Sequence, residues 1–248
     1  MHMMLMVGLM LLFFFVSLTC ICLYRDKLDT RIWNLAFVIA DIVFFFCWNY
    51  AGYERGWLEK GFTTLDNISP LMFTLIPFIY FMNDKVKDYC FSAIAFLSFG
   101  MFCAMMISPE QAYLFDFNED ASFLYTSEAA CHMLCAVFGI YLVMSGQVKP
   151  NFTQWIKSIV FMYCIISFGV FLNFVFHKRF FGMDPYGEYS IYFLDIFGNF
   201  TTTLIAYYLG VLVVLTLGMQ LCAVLDKMTK KHDNAALLPS LEQRIEEE

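Results

Sequence analysis

The chain has 248 residues, of which 60% are hydrophobic and only 15% charged, with 30 Phe, 16 Met and 14 Tyr and a formal charge of -7. A water-soluble domain of this size still exposes a large share of its residues and has nowhere to hide so much apolar surface, so the composition places the chain in a bilayer. The charge excludes a basic nucleic-acid footprint, and much of the acidic excess falls in the closing "SLEQRIEEE", a solvated tail.

Seven segments meet the requirement of ~20 apolar residues for crossing hydrocarbon. The first, Met3 to Tyr24, opens the chain in the manner of a signal peptide. Its leading end has no Lys or Arg, its apolar stretch is too long and no small-x-small cleavage site follows, so a retained membrane helix is expected. The second, Ile32 to Tyr53, carries Asp41 near its middle. The third, Phe62 to Met82, holds Asp66 and Asn67 about one turn below its mouth, with Pro70 and Pro77 to bend it. The fourth runs from Tyr89 to Ile107. The fifth, Ala121 to Met144, places Glu128 and His132 one turn apart and within side-chain reach. The sixth, Trp155 to Phe176, has Asn173 near its end. The last apolar run, Ile191 to Leu225, is too long for one straight span. Gly198 and Asn199 weaken it, so Tyr189 to Ile196 reads as a short outer helix or re-entrant piece before a true span from about Phe200.

The expected fold is an all-α membrane protein: a bundle of about seven transmembrane helices over residues 1–225, followed by an acidic tail, residues 226–248, whose closing "LLPSLEQRIEEE" reads as a disordered or frayed helical end. Lys and Arg orient it. One side receives eleven of them, on the loops at Arg25, Lys27 and Arg31, at Lys85 and Lys87, at Lys149 and Lys157, and on the tail; the other receives Arg55, Lys60, Lys178 and Arg179. Cytoplasmic loops carry the positive excess, so the N-terminus is expected outside, the tail in the cytoplasm, and the chain in the cell membrane as a multi-pass protein.

With that orientation, Asp66, Asn67, Glu128, His132, Asn173, Asp195 and Asn199 fall in the same outer half of the membrane. A charged side chain facing lipid costs roughly 2.5–3.5 kcal/mol, so these groups are expected to line one cavity open to the outer face. Each could instead be interhelical hydrogen-bond glue. His132 is the sharpest member, because imidazole titrates near neutrality and serves as base or proton carrier. Nine cysteines lie mostly in apolar runs and behave as small hydrophobes. Cys131 and Cys135 flank His132, but adjacent residues point about 100° apart on a helix, so neither a metal nor any other cofactor is expected. The glycosylation-like triplets at Asn67, Asn151 and Asn199 fall within spans or on the cytoplasmic side and are discounted.

The order of landmarks, "TTLDNIS", then "SEAACHMLCAVFGIYLVMSGQVKP", "FLNFVF" and "GMDPYGEYSIYFLDIFGNF", resembles the YwaF-type bacterial integral membrane proteins, themselves similar to eukaryotic transmembrane phospholipid acyltransferases. The resemblance covers Thr63 to Val213. It implies a seven-span fold and a cysteine and a histidine acting together, with His132 at the histidine position. At the cysteine position, beside Asp66 and Asn67, this chain has no thiol.

Two functions follow. In the first, a lipid-directed acyltransferase or hydrolase, His132 is the general base, Glu128 or Asp66 orients it, Asn67 or Asn199 donates to the oxyanion, and Thr63 or Thr64 is the nucleophile. Asn67, Thr64, Asn173, Asp195 and Asn199 would bind substrate, and membrane lipids would be the partner. In the second, a small-solute or cation/proton-coupled carrier or ligand-binding protein, Glu128, His132, Asp66 and Asp195 form the ion site. A scaffold with a partner on the acidic tail is a third reading. Polar groups continuing along the same helix faces to the cytoplasmic side would favour the carrier, whereas a blind pocket would favour catalysis or ligand sensing.

Overall fold

The structure, a computed structural model, describes residues 2–27, 29–54, 68–107, 122–176 and 199–246. Among these the chain is all helical: α1 (His2–Tyr24), α2 (Thr30–Glu54), α3 (Ile68–Leu75) with a 3-10 turn at Ile76–Phe78, α4 (Asp84–Ile107), α5 (Ser122–Met144), α6 (Phe152–Phe176) and α7 (Phe200–Glu246). Four stretches are long and apolar enough to cross a membrane: Thr30–Glu54, Thr126–Met144, Phe152–Phe176 and Phe200–Lys230. That is the make-up of an integral membrane protein, and large apolar side chains such as Phe46, Phe168, Phe171, Leu209 and Val213 face outward.

Asx side chains start four of the helices. Asp29, Asn83, Asn151 and Asn199 each accept a backbone N–H two or three residues on, at 2.8–3.0 Å, satisfying a donor that the helix itself leaves open. Pro70 stands in the first turn of α3, where a missing N–H costs little. Pro77 lies in the 3-10 turn that ends α3, so the bend expected in the third span is a change of helix type, and Phe62 to Asn67 lie outside the described residues. At the far end of the chain α7 continues, as backbone, to Glu246, well past the expected limit at Leu225.

The helix α5 stands at the centre. Of its span 89% is buried, against 22% for each of the other three, and it packs on α1, α2, α3, α4 and α7. A helix that is apolar all round suits that position. The helix α6 packs against α4 and α7. Backbone meets backbone at two places on α4. A Cβ added to Gly139 of α5 would stand 2.8 Å from the Ile94 carbonyl oxygen, and one added to Gly218 of α7 would stand 1.7 Å from that of Phe96. Small residues permit such approach between membrane helices, where dispersion and weak polar contacts replace a hydrophobic drive.

Consecutive helices alternate in direction along the chain, and polar contacts gather three connections at one end. Arg25 donates to the Met144 carbonyl at 3.5 Å, the Asn34 amide to Gln147 at 2.9 Å, and the Tyr80 hydroxyl to the Arg31 carbonyl at 3.1 Å. Between α4 and α6, Asp88 pairs with Lys157 and accepts from Gln154 at 2.9 Å, while Ser92 meets Gln154. The loops bearing Arg25, Lys27 and Arg31, Lys85 and Lys87, and Lys149 and Lys157 therefore share one end of the bundle, its basic end.

The chain leaves α5 at this end through Gly146, whose φ of +73° is left-handed. A Cβ there would meet no atom within 4 Å, so only backbone strain opposes a larger residue. Gly146→Ala is expected to cost about 1–2 kcal/mol, and Gly146→Asn less, because asparagine tolerates that region. Thermal unfolding of the detergent-solubilised variants tests both values.

Candidate functional site

The helices α2 and α5 run antiparallel with their rings in register. Trp33 lies 5.5 Å from Tyr141 and Phe37 4.8 Å from Phe138 near the basic end, and Glu128 faces the Trp48 indole near the other. Both Glu128 and His132 are buried, with 8% and 6% of their surfaces exposed, at the end of α5 away from the basic loops. Phe73 of α3 packs with its ring edge-on to His132 at 4.8 Å and to Trp48 at 6.2 Å, and we call this aromatic surround of Glu128 and His132 the niche. Aromatic walls around a few polar atoms are the usual lining of a small-molecule site.

The pair expected on one stripe is therefore assembled, with one difference in its wiring. The Nδ1 of His132 lies 2.9 Å from the main-chain carbonyl of Glu128. A carbonyl only accepts, so Nδ1 carries a proton and the lone pair of the neutral ring belongs to Nε2. The helix turn itself, rather than the Glu128 carboxyl, orients the imidazole. That carboxyl has an oxygen, Oε2, buried without a hydrogen-bond partner. Leaving such an atom unsatisfied costs about 1–3 kcal/mol.

The other expected site residues divide in two groups. Thr63, Thr64, Asp66, Asn67 and Asp195 lie outside the described residues. Asn173 is fully buried on α6, which packs on α4 and α7. Asn199 is exposed, and its Oδ1 accepts from both the backbone N–H and the hydroxyl of Thr202 at 2.9 Å. It caps α7, a role that its place just before an apolar helical run signals in the sequence.

Sequence reasoning gives Asp41 no place in the site, yet it sits in the same α2–α5 seam. In the antiparallel register it falls opposite Cys135, and it lies within electrostatic range of the Cys131 and Cys135 thiols. The residue is 0% exposed and neither carboxyl oxygen has a hydrogen-bond partner. Trp48 and Phe73 likewise escape a reading of the sequence, since an aromatic residue in an apolar helix carries no mark of the wall it will form. Among the described residues no group of three His, Cys, Asp or Glu side chains is placed to hold a metal ion.

No family model, no curated protein and no solved structure matches this chain.

Proposed function

We propose that the protein is a proton- or cation-coupled carrier or ligand-binding protein of the cell membrane, with seven spans, its N-terminus outside and its acidic tail, residues 226–248, in the cytoplasm. The gathering of three Lys- and Arg-bearing loops at one end supports that orientation. One observation carries the function: Glu128 is buried facing the Trp48 indole, its Oε2 closes no hydrogen bond, and the His132 Nδ1 is bonded to main chain instead of to its carboxyl. No Lys or Arg stands among the buried described residues. An acid so placed takes up a proton or a cation, and intramembrane acids commonly mark ion paths.

The test reconstitutes the full chain in liposomes carrying an internal pH dye and adds Na⁺ or K⁺ alone. Wild type is expected to move protons in response, and Glu128→Gln to lose the response by about tenfold or more, the loss of one close charge partner. Equal responses would remove the reading.

A second reading, the lipid-directed acyltransferase or hydrolase with membrane lipids as substrate, draws on a different observation. With Nδ1–H on a carbonyl, the lone pair of the neutral ring is on Nε2, and a general base works through such a lone pair. Kinship with the YwaF-type proteins belongs to this reading. Its nucleophile, Thr63 or Thr64, and its second acid, Asp66, lie outside the described residues. Comparing the lipids of cells carrying wild type and His132→Ala decides it: an altered acyl-lipid profile supports the enzyme, and an unchanged one removes it.

A further inference from the structure

We propose that Asp41 is an intramembrane proton-binding site on the α2–α5 seam, coupled to the Glu128–His132 niche. This rests on the carrier reading for its purpose but on separate residues for its evidence.

Asp41 stands 11 residues from the start of α2 and 13 from its end, hence roughly 16–20 Å from either end at 1.5 Å per residue. It is the described acid deepest in the bundle with both oxygens unpartnered. Removing an ionised carboxylate from water without a partner costs far more than any hydrogen bond returns, so the group keeps a proton or meets a cation. Among the described residues no Lys or Arg faces it. The titratable groups near it are the thiols of Cys131 and Cys135 on α5, with Cys90 of α4 beyond Cys135 and Cys47 of α2 itself beside Cys131. The described side chains of α3 and the 3-10 turn, Leu71 to Phe78, contribute none. A proton is the ligand that fits a carboxyl so enclosed.

Two further groups extend the seam. On one side Glu128 lies seven residues along α5 from Cys135, about 10 Å away. On the other Tyr141 lies six residues along, about 9 Å, its hydroxyl beside Ser145 and Gln147 at the basic end without closing a hydrogen bond. Gln147 in turn bonds Asn34. When Asp41 releases its proton it becomes a carboxylate and the proton passes to water, by way of one of these ends. Two charges ~10 Å apart in a protein interior affect one another by roughly tenfold in affinity. A cation on Glu128 would therefore favour proton release from Asp41, and an empty niche would favour its retention.

The experiment needs no ligand but the proton. Infrared difference spectra of the full chain in lipid nanodiscs, taken from acid to alkaline pH, follow the C=O stretch of protonated carboxyls. Wild type is expected to lose such a band as the pH rises, and Asp41→Asn to lack that band at every pH. Asp41→Glu, which keeps the acid, shifts its frequency and serves if Asp41→Asn does not fold. Glu128→Gln is expected to keep the band and move its midpoint by about tenfold in proton concentration. An Asp41→Asn spectrum identical to wild type would overturn the proposal, as would a band that persists unchanged through alkaline pH, which marks a permanently neutral structural acid. Because no Na⁺ or K⁺ response is read here, failure of the carrier reading leaves this result standing, and the reverse also holds.

Discussion

Gly218→Ala is expected to disrupt the bundle more than the same change at Gly139 or Gly210. The added Cβ would stand 1.7 Å from the Phe96 carbonyl oxygen, 2.7 Å from its carbon and 3.1 Å from its Cα. All three are main-chain atoms of a helix interior, so no side-chain rotation relieves the overlap, and α4 and α7 must separate. Overpacking costs about 1–3 kcal/mol where side chains can yield, and this contact belongs at or above the top of that range. The variant should show a sharply lower folded yield on size-exclusion chromatography in detergent. Gly210→Ala is the control, because a Cβ there meets nothing within 4 Å. Should both variants fold alike, α4 and α7 do not touch as described.

Asp41→Val is expected to act in the opposite direction and raise stability. The carboxyl is fully enclosed with neither oxygen partnered, so an apolar residue close in size relieves about 1–3 kcal/mol of unmet polar cost. The gain appears as a higher midpoint of thermal unfolding, with loss of any proton-coupled response. A lower midpoint for Asp41→Val would mean that the carboxyl is satisfied in the native protein and that its role is structural.

Much of this is legible in residue order. Apolar length marks the helices, and α7 starts at Phe200, just where Gly198 and Asn199 interrupt the last apolar run. The i, i+4 spacing of Glu128 and His132 places them on one stripe because helical geometry is local. Three things are not local. That His132 bonds the Glu128 carbonyl rather than its carboxyl depends on rotamers set by Phe73 and Trp48, which come from other helices. That Asp41 belongs with the niche depends on the antiparallel register of α2 on α5, fixed by ring contacts 101 to 108 positions apart in sequence. That α6, which carries Asn173, packs on α4 and α7 depends on how the helices dock, and equal depth in a bilayer says nothing about azimuth. The caps at Asn151 and Asn199, by contrast, are open to reading. Both begin glycosylation-like triplets, and Asn199 has the polarity of a site residue, but the apolar helix starting immediately after each one is the signal that identifies a cap.

The two glycine contacts on α4 also divide the molecule mechanically. At both glycines a helix comes so close to α4 that no Cβ fits, against Ser98 and the Ile94 carbonyl at Gly139 and against the Phe96 main chain at Gly218, so α5, α4 and α7 are keyed together. On its other face α5 meets α2 through tilted rings, Trp33, Phe37, Phe138 and Tyr141, which shear over one another at little cost. The acids Asp41 and Glu128 thus stand on two helices joined by ring contacts, and a shift of α2 along α5 would change the distance between them.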